Sequence, residues 1–192
     1  MLFERLVNFI LLSNSRIFSV HSVVKFLKGQ GLTVSINTIM KYLQYLEDAY
    51  IIRSIPQFEA KAKRELRFFS KRYNEDVAFN SIRQPDRRYD ITYNLENIVY
   101  NELVYMGYEL SVFKEGSNEI DFCATKGGKT YLFQVAYSIA EEETYQREFL
   151  LFNKLDQRYR KIIITCDEMD FSTSTVKHLL LKDFLMMTDL EK

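Results

Sequence analysis

The chain has 192 residues, 47% hydrophobic and 15% aromatic, with 26 Lys and Arg offset by 26 Asp and Glu, enough apolar material for one large or two small buried cores. Two prolines and six glycines exclude long linkers or disordered tracts. No apolar run approaches the roughly 18 residues of a membrane span, and Glu4 and Arg5 interrupt any signal-peptide pattern, so a cytoplasmic chain with no membrane partner is expected.

The zero net charge conceals an asymmetry. Residues 1–88 carry 15 Lys and Arg against 8 Asp and Glu, whereas residues 89–192 carry 11 against 18. Halves of opposite sign predict two domains, 1–88 and 89–192, with different partners. Cys123 and Cys166 are too few and too isolated for a disulfide framework, and with only His21 and His178 beside them no zinc spacing exists. Both cysteines read as packed core thiols.

In chain order, Leu2 to Leu12 is an apolar-rich helix ending at Ser13-Asn14-Ser15. Ser19 is placed to cap a second helix, Val20 to Lys28, which Gly29 or Gly31 closes. Ser35 caps a third, Ile36 to Asp48, whose Ile36, Ile39, Met40, Leu43 and Leu46 recur at helical spacing. Two β-rich segments follow, joined by Lys61-Ala62-Lys63-Arg64-Glu65, and Pro56 predicts that the first is an edge strand or ends there. Three helices and a basic hairpin describe a winged helix-turn-helix. Its nucleic-acid contacts would be Asn37, Thr38 and Lys41 on the third helix and Lys61, Lys63, Arg64 and Arg67 on the wing, with phosphate contact favoured over base reading.

In the second half, Asn94 to Met106 is a helix stopped by Gly107. Strands are predicted at Tyr108 to Phe113, Glu119 to Thr125 and Thr130 to Ala136, separated by turn chemistry at Glu115-Gly116-Ser117-Asn118 and Lys126-Gly127-Gly128. A long helix from about Ser138 to Tyr159 leads to "KIIITC", a strand buried on both faces, and "VKHLLLKDFLM" supplies a last strand and a helical turn. The order is αβββαβ, with a three-strand meander and a parallel strand delivered by the crossover helix. "GGKT" (Gly127 to Thr130) is not a phosphate-binding loop, because a strand rather than a helix follows it.

This order resembles the PD-(D/E)XK (restriction-endonuclease-like) nuclease fold from about Tyr89 to Met186. The expected class is therefore α+β: a winged helix followed by a nuclease-like α/β domain. The resemblance implies that Glu96, Asp121 and Gln134 occupy the metal-binding positions, with Mg²⁺ as the ion, and that Ala136 stands where the fold keeps its lysine. Gln134 offers only a neutral carbonyl oxygen, and without a lysine no cation activates water. Catalytic residues are therefore not expected.

The phrases "LENIVYNELVYMGYEL" and "NEIDFCATKGGKTYLFQVAYSIAEEETYQREF", with the order of the two halves, resemble the C-terminal region of archaeal and bacterial AAA-type P-loop ATPases, a domain of unknown function. The chain has no Walker A motif, so by this resemblance ATP would act only through a separate ATPase module. The resulting expectation is a non-catalytic accessory region that binds nucleic acid, a protein partner or its own ATPase module. The alternatives are a metal-dependent nuclease using Glu96, Asp121 and Gln134, and a winged-helix transcription regulator.

Overall fold

The computed structural model describes residues 2–59, 64–83, 91–115 and 118–190 as a mixed α+β chain. It divides into two compact units, Met1–Pro56 with Leu66–Asn97, and Gln57–Glu65 with Ile98–Lys192.

The first unit contains α1 (Leu2–Leu12), β1 (Ile17–Phe18), α2 (Val20–Gly29) and α3 (Ile36–Asp48). It continues through most of β2 (Ile52–Glu59) and β3 (Arg64–Asn74), α4 (Ala78–Arg83) and the first half of α5 (Ile91–Tyr105). Both predicted caps form: the side chain of Ser19 accepts from the Ser22 N–H and that of Ser35 from the Thr38 N–H, each at 3.1 Å. The apolar stripes of the three helices meet in a core built on Leu6, Ile10, Val23, Leu27, Ile39 and Leu43. β3 lies between β1 and β2, and pairs antiparallel with β1 through Ile17 and Lys71.

Pro56 does not end β2. The strand runs on to Glu59 and pairs parallel with β4 (Glu109–Glu115), starting at Gln57 opposite Val112. Pro56 precedes that first registered pair, so its missing N–H falls outside the β2–β4 ladder.

The first unit also has a buried polar cluster. Asn97 Oδ1 accepts from the Asn74 N–H at 2.8 Å while its amide donates to the Asn74 carbonyl at 2.9 Å. The Asn80 amide donates to Asn94 Oδ1, side chain to side chain, and all four side chains are buried. Satisfied networks of this kind fix one arrangement of the chain.

The second unit holds the end of α5, then β4, β5 (Asn118–Lys126), β6 (Lys129–Val135), α6 (Glu142–Asn153), β7 (Arg160–Thr165), β8 (Val176–Leu180) and α7 (Leu181–Leu185). β4, β5 and β6 form an antiparallel meander, and β6, β7 and β8 run parallel. Gly127 and Gly128 have φ of +58° and +77°, the two left-handed positions of a tight hairpin turn between β5 and β6. One side of the sheet carries Leu132 and Ile163 against Phe149 and Phe152 of α6. On the other side Tyr100 of α5 meets Phe122, and Phe184 of α7 meets Phe133.

β8 is the last strand in the order, and the preceding loop closes its free side. The Thr173 N–H donates to the Val176 carbonyl at 2.9 Å, and the His178 N–H donates to Ser172 Oγ at 3.0 Å.

Candidate functional site

On the first unit, α3 presents Asn37 and Lys41 to solvent, with Thr38 half-buried. Thr38 spends its hydroxyl on Ser35 Oγ at 2.9 Å, within the helix cap. Asn37, Thr38 and Lys41 line a shallow groove of about 370 Å³ with Tyr42 and Tyr45, and Lys41 Nζ lies 5.8 Å from the Tyr45 ring centroid. The same face exposes Met40 at 56% and Tyr45 at 47%, so it is less polar than the spacing of Asn37 and Lys41 suggests. Lys61 and Lys63 lie outside the described residues, as do the side chains of Arg64 and Arg67.

Glu96 belongs to the first unit. Its Oε1 accepts from Tyr73 Oη at 2.6 Å and pairs with Lys71 Nζ at 3.1 Å, both reaching from β3. Lys71 and Tyr73 are themselves buried, so this carboxylate is a partner in a desolvated ion pair.

In the second unit Asp121 and Gln134 face one another across β5 and β6. The Asp121 N–H donates to Gln134 Oε1 at 3.3 Å, and the Val135 N–H donates to Asp121 Oδ2 at 3.0 Å. Ala136 sits at the end of β6, its N–H donating to the Ile164 carbonyl at 3.1 Å and its methyl packed against the α6 core.

A third residue, Glu148 of α6, joins this pair, and the sequence reading does not select it. It is only 5% exposed, and its Oε2 is buried without a well-formed hydrogen bond. Its Oε1 holds the Arg147 guanidinium through Nε at 2.9 Å and Nη2 at 2.8 Å. Burial pushes the Glu148 carboxyl up, Arg147 opposes the shift, and the charge of Asp121 adds to it. The spacing carries a signal for it: Tyr145, Glu148, Phe149 and Phe152 fall at i, i+3, i+4 and i+7, placing an acid on an apolar stripe.

This donor set suits a divalent ion poorly. Asp121 Oδ2 and Gln134 Oε1 already accept backbone N–H groups, and among the described residues no group of three or more His, Cys, Asp or Glu is placed to hold a metal. What the arrangement does hold is a poorly solvated charge. A raised carboxyl value means that ionisation weakens the folded state: the penalty is absent below the ordinary Glu value of about 4.3, sets in as pH rises through it, and is complete above the folded value. Glu148→Gln is therefore expected to raise Tm at pH 7 by roughly 2–4 °C, the size of about 1 kcal/mol in a chain of this length. Calorimetry at about pH 4 should find the gap closed.

A nearby constellation of Ser138, Asp167, Thr165 and His178 resembles a nucleophile triad only by residue type. His178 Nδ1 accepts from the Phe171 N–H at 3.3 Å, so Nε2 carries the proton and donates to Thr165 Oγ1 at 2.8 Å. Asp167 accepts from Ser138 Oγ and the Ile139 N–H, both at 2.7 Å. With both ring nitrogens committed, the cluster is a clamp on the ends of β7 and β8 and offers no free base.

Residues 1–82 match the model of a family described as Domain of unknown function (DUF8612). A curated protein of Haemophilus influenzae, named only as an uncharacterized protein, is 34% identical over 139 residues, which cover 72% of this chain and 34% of that relative. The chain thus spans about a third of the length of the relative it matches. No solved structure matches.

Proposed function

We propose that this chain is a non-catalytic accessory region of an AAA-type P-loop ATPase, with a winged helix that binds nucleic acid and a degenerate PD-(D/E)XK nuclease-like domain. The observation that carries the non-catalytic part is the chemistry at β5 and β6. Gln134 spends its carbonyl oxygen on the Asp121 N–H, and Ala136 supplies no cation two residues further on. Such a site lacks the charge needed to lower the pKa of a water or to stabilise a phosphorane-like transition state.

Three features support the rest of the reading. The order of three helices, the second and third capped by serine, followed by β2 and β3 supports a winged-helix reading, and α3 exposes Asn37 and Lys41 in a groove. The basic stretch from Lys61 to Arg67 carries four cations and one acid. The Haemophilus relative leaves two thirds of its length outside the match, room for a module of another kind.

The protein incubated with labelled plasmid and single-stranded DNA in Mg²⁺ or Mn²⁺ is expected to leave both intact. Cutting that disappears in Asp121→Ala would overturn this reading and assign a metal-dependent nuclease instead.

A further inference from the structure

The second unit holds a pocket of about 430 Å³ on the side of the sheet where β7 and β8 begin. Three consecutive groups of cations and hydroxyls line it: Arg160 and Lys161 at the start of β7, the Ser172–Thr175 loop, and Lys177 on β8. Among the described residues, no carboxylate lines it. That is a departure in a half of the chain whose acids outnumber its bases, 18 to 11.

None of the three cations has a carboxylate partner within ion-pair distance among the described residues. Arg160 Nη1 donates to the Tyr131 hydroxyl at 3.0 Å, with the guanidinium 5.4 Å from that ring's centroid. Lys177 is exposed. Lys161 stands apart: it lies opposite Leu132 and Val176, with its side chain on the α6 face of the sheet, where its ammonium donates to the Leu155 carbonyl at 2.8 Å. Arg160, opposite Tyr131, and Lys177, opposite Ile162, project from the other face, so these two cations can meet one anion.

The hydroxyls divide in the same sense. Thr173 Oγ1 and Ser172 Oγ accept backbone N–H groups and fix the loop, which leaves Ser174 and Thr175 exposed on it. Leu179, Met187 and Leu190 make the remaining wall apolar. Cations, hydroxyls and apolar side chains around one pocket, with a volume within the range of small-ligand sites, fit an amphipathic anion.

We propose that this pocket binds a small phosphorylated molecule, its phosphate held by Arg160 and Lys177 and its less polar part resting against Leu179, Met187 and Leu190. The site is separate from the Asp121–Gln134–Glu148 cluster and does not depend on nucleic-acid binding by the first unit.

The test is a titration of the ¹⁵N-labelled full chain with inorganic phosphate, ADP, and sodium chloride at matched ionic strength. Saturable amide shifts at Ser174 to Lys177 are expected with phosphate and, at lower concentration, with ADP, and not with chloride. Arg160→Ala/Lys177→Ala should weaken both at least tenfold while Tm stays unchanged; Lys177→Glu alone, at an exposed position, serves if the double variant folds poorly. The proposal is overturned if neither probe gives saturable shifts, if chloride reproduces them, if ADP binds no tighter than phosphate, if the variants bind like the parent, or if only a DNA oligonucleotide moves these amides.

Discussion

Glu96→Ala is expected to lower the unfolding free energy by about 3 kcal/mol, the range found when one partner of a buried ion pair is removed. The Lys71 side chain is 6% exposed and that of Glu96 is 19% exposed, so the attraction between them is little screened by solvent. Removing the carboxylate takes a counter-charge from Lys71 and an acceptor from the Tyr73 hydroxyl, which reaches Glu96 at 2.6 Å from a side chain with no exposure. Replacing the pair as a whole, Lys71→Met with Glu96→Leu, should recover most of the stability, because neither charge of the pair is left desolvated. Urea unfolding followed by far-ultraviolet circular dichroism measures both. A decrease below about 0.5 kcal/mol for Glu96→Ala would place the carboxylate in solvent and make it available again as a metal ligand.

Duplex DNA binding is the second large effect. Lys41→Ala combined with Lys63→Ala and Arg64→Ala should weaken affinity at least roughly tenfold at low salt. It should also reduce the slope of log K against log salt concentration by about 3, one for each phosphate that the variant no longer neutralises. Asn37→Ala should cost less and equally for unrelated sequences, since the expected hydrogen bonds are to the DNA backbone rather than to base edges. Fluorescence anisotropy across a salt series reads all of these. Binding that ignores salt, or that survives the triple change, would point to the exposed Met40 and Tyr45 on α3 as a protein-docking surface.

Much of the fold is legible in the sequence because local and tertiary signals agree. Ser19 and Ser35 cap the helices they precede, and Ile39, Leu43 and Leu46 face the core, whereas Ile36 and Met40 of the same predicted stripe are exposed. The three-strand meander and the parallel β7 follow from Gly127-Gly128 and from the unbroken apolar run Ile162–Ile164. The crossover helix is shorter than its pattern: Ser138 to Tyr159 reads as one helix, yet α6 spans only Glu142–Asn153. Asp167 explains its start by capturing the Ser138 hydroxyl and the Ile139 N–H, a partner 28 residues away that no local pattern reveals. Asp156 helps explain its end by accepting the Arg158 N–H at 2.9 Å in a local turn.

β1, two residues long, and α4, a helix of six, carry too little periodicity to be seen. At the candidate site, Asp121 and Gln134 are legible as facing positions on neighbouring strands. Glu148 is not, because an acid on an amphipathic helix is assigned to solvent unless its place on the apolar stripe is given more weight than its charge.

The loop that seals β8 has a consequence for how this molecule meets others. Strands recruit strands through unpaired main-chain groups, and a bare outer rim invites a foreign segment to add itself to the sheet. Here Ser172 and Thr173 occupy that rim from within the same chain, through the His178 N–H and the Val176 carbonyl. A partner that meets this side of the second unit finds the Val176 carbonyl and the His178 N–H already engaged, which leaves less of the rim to template a foreign strand.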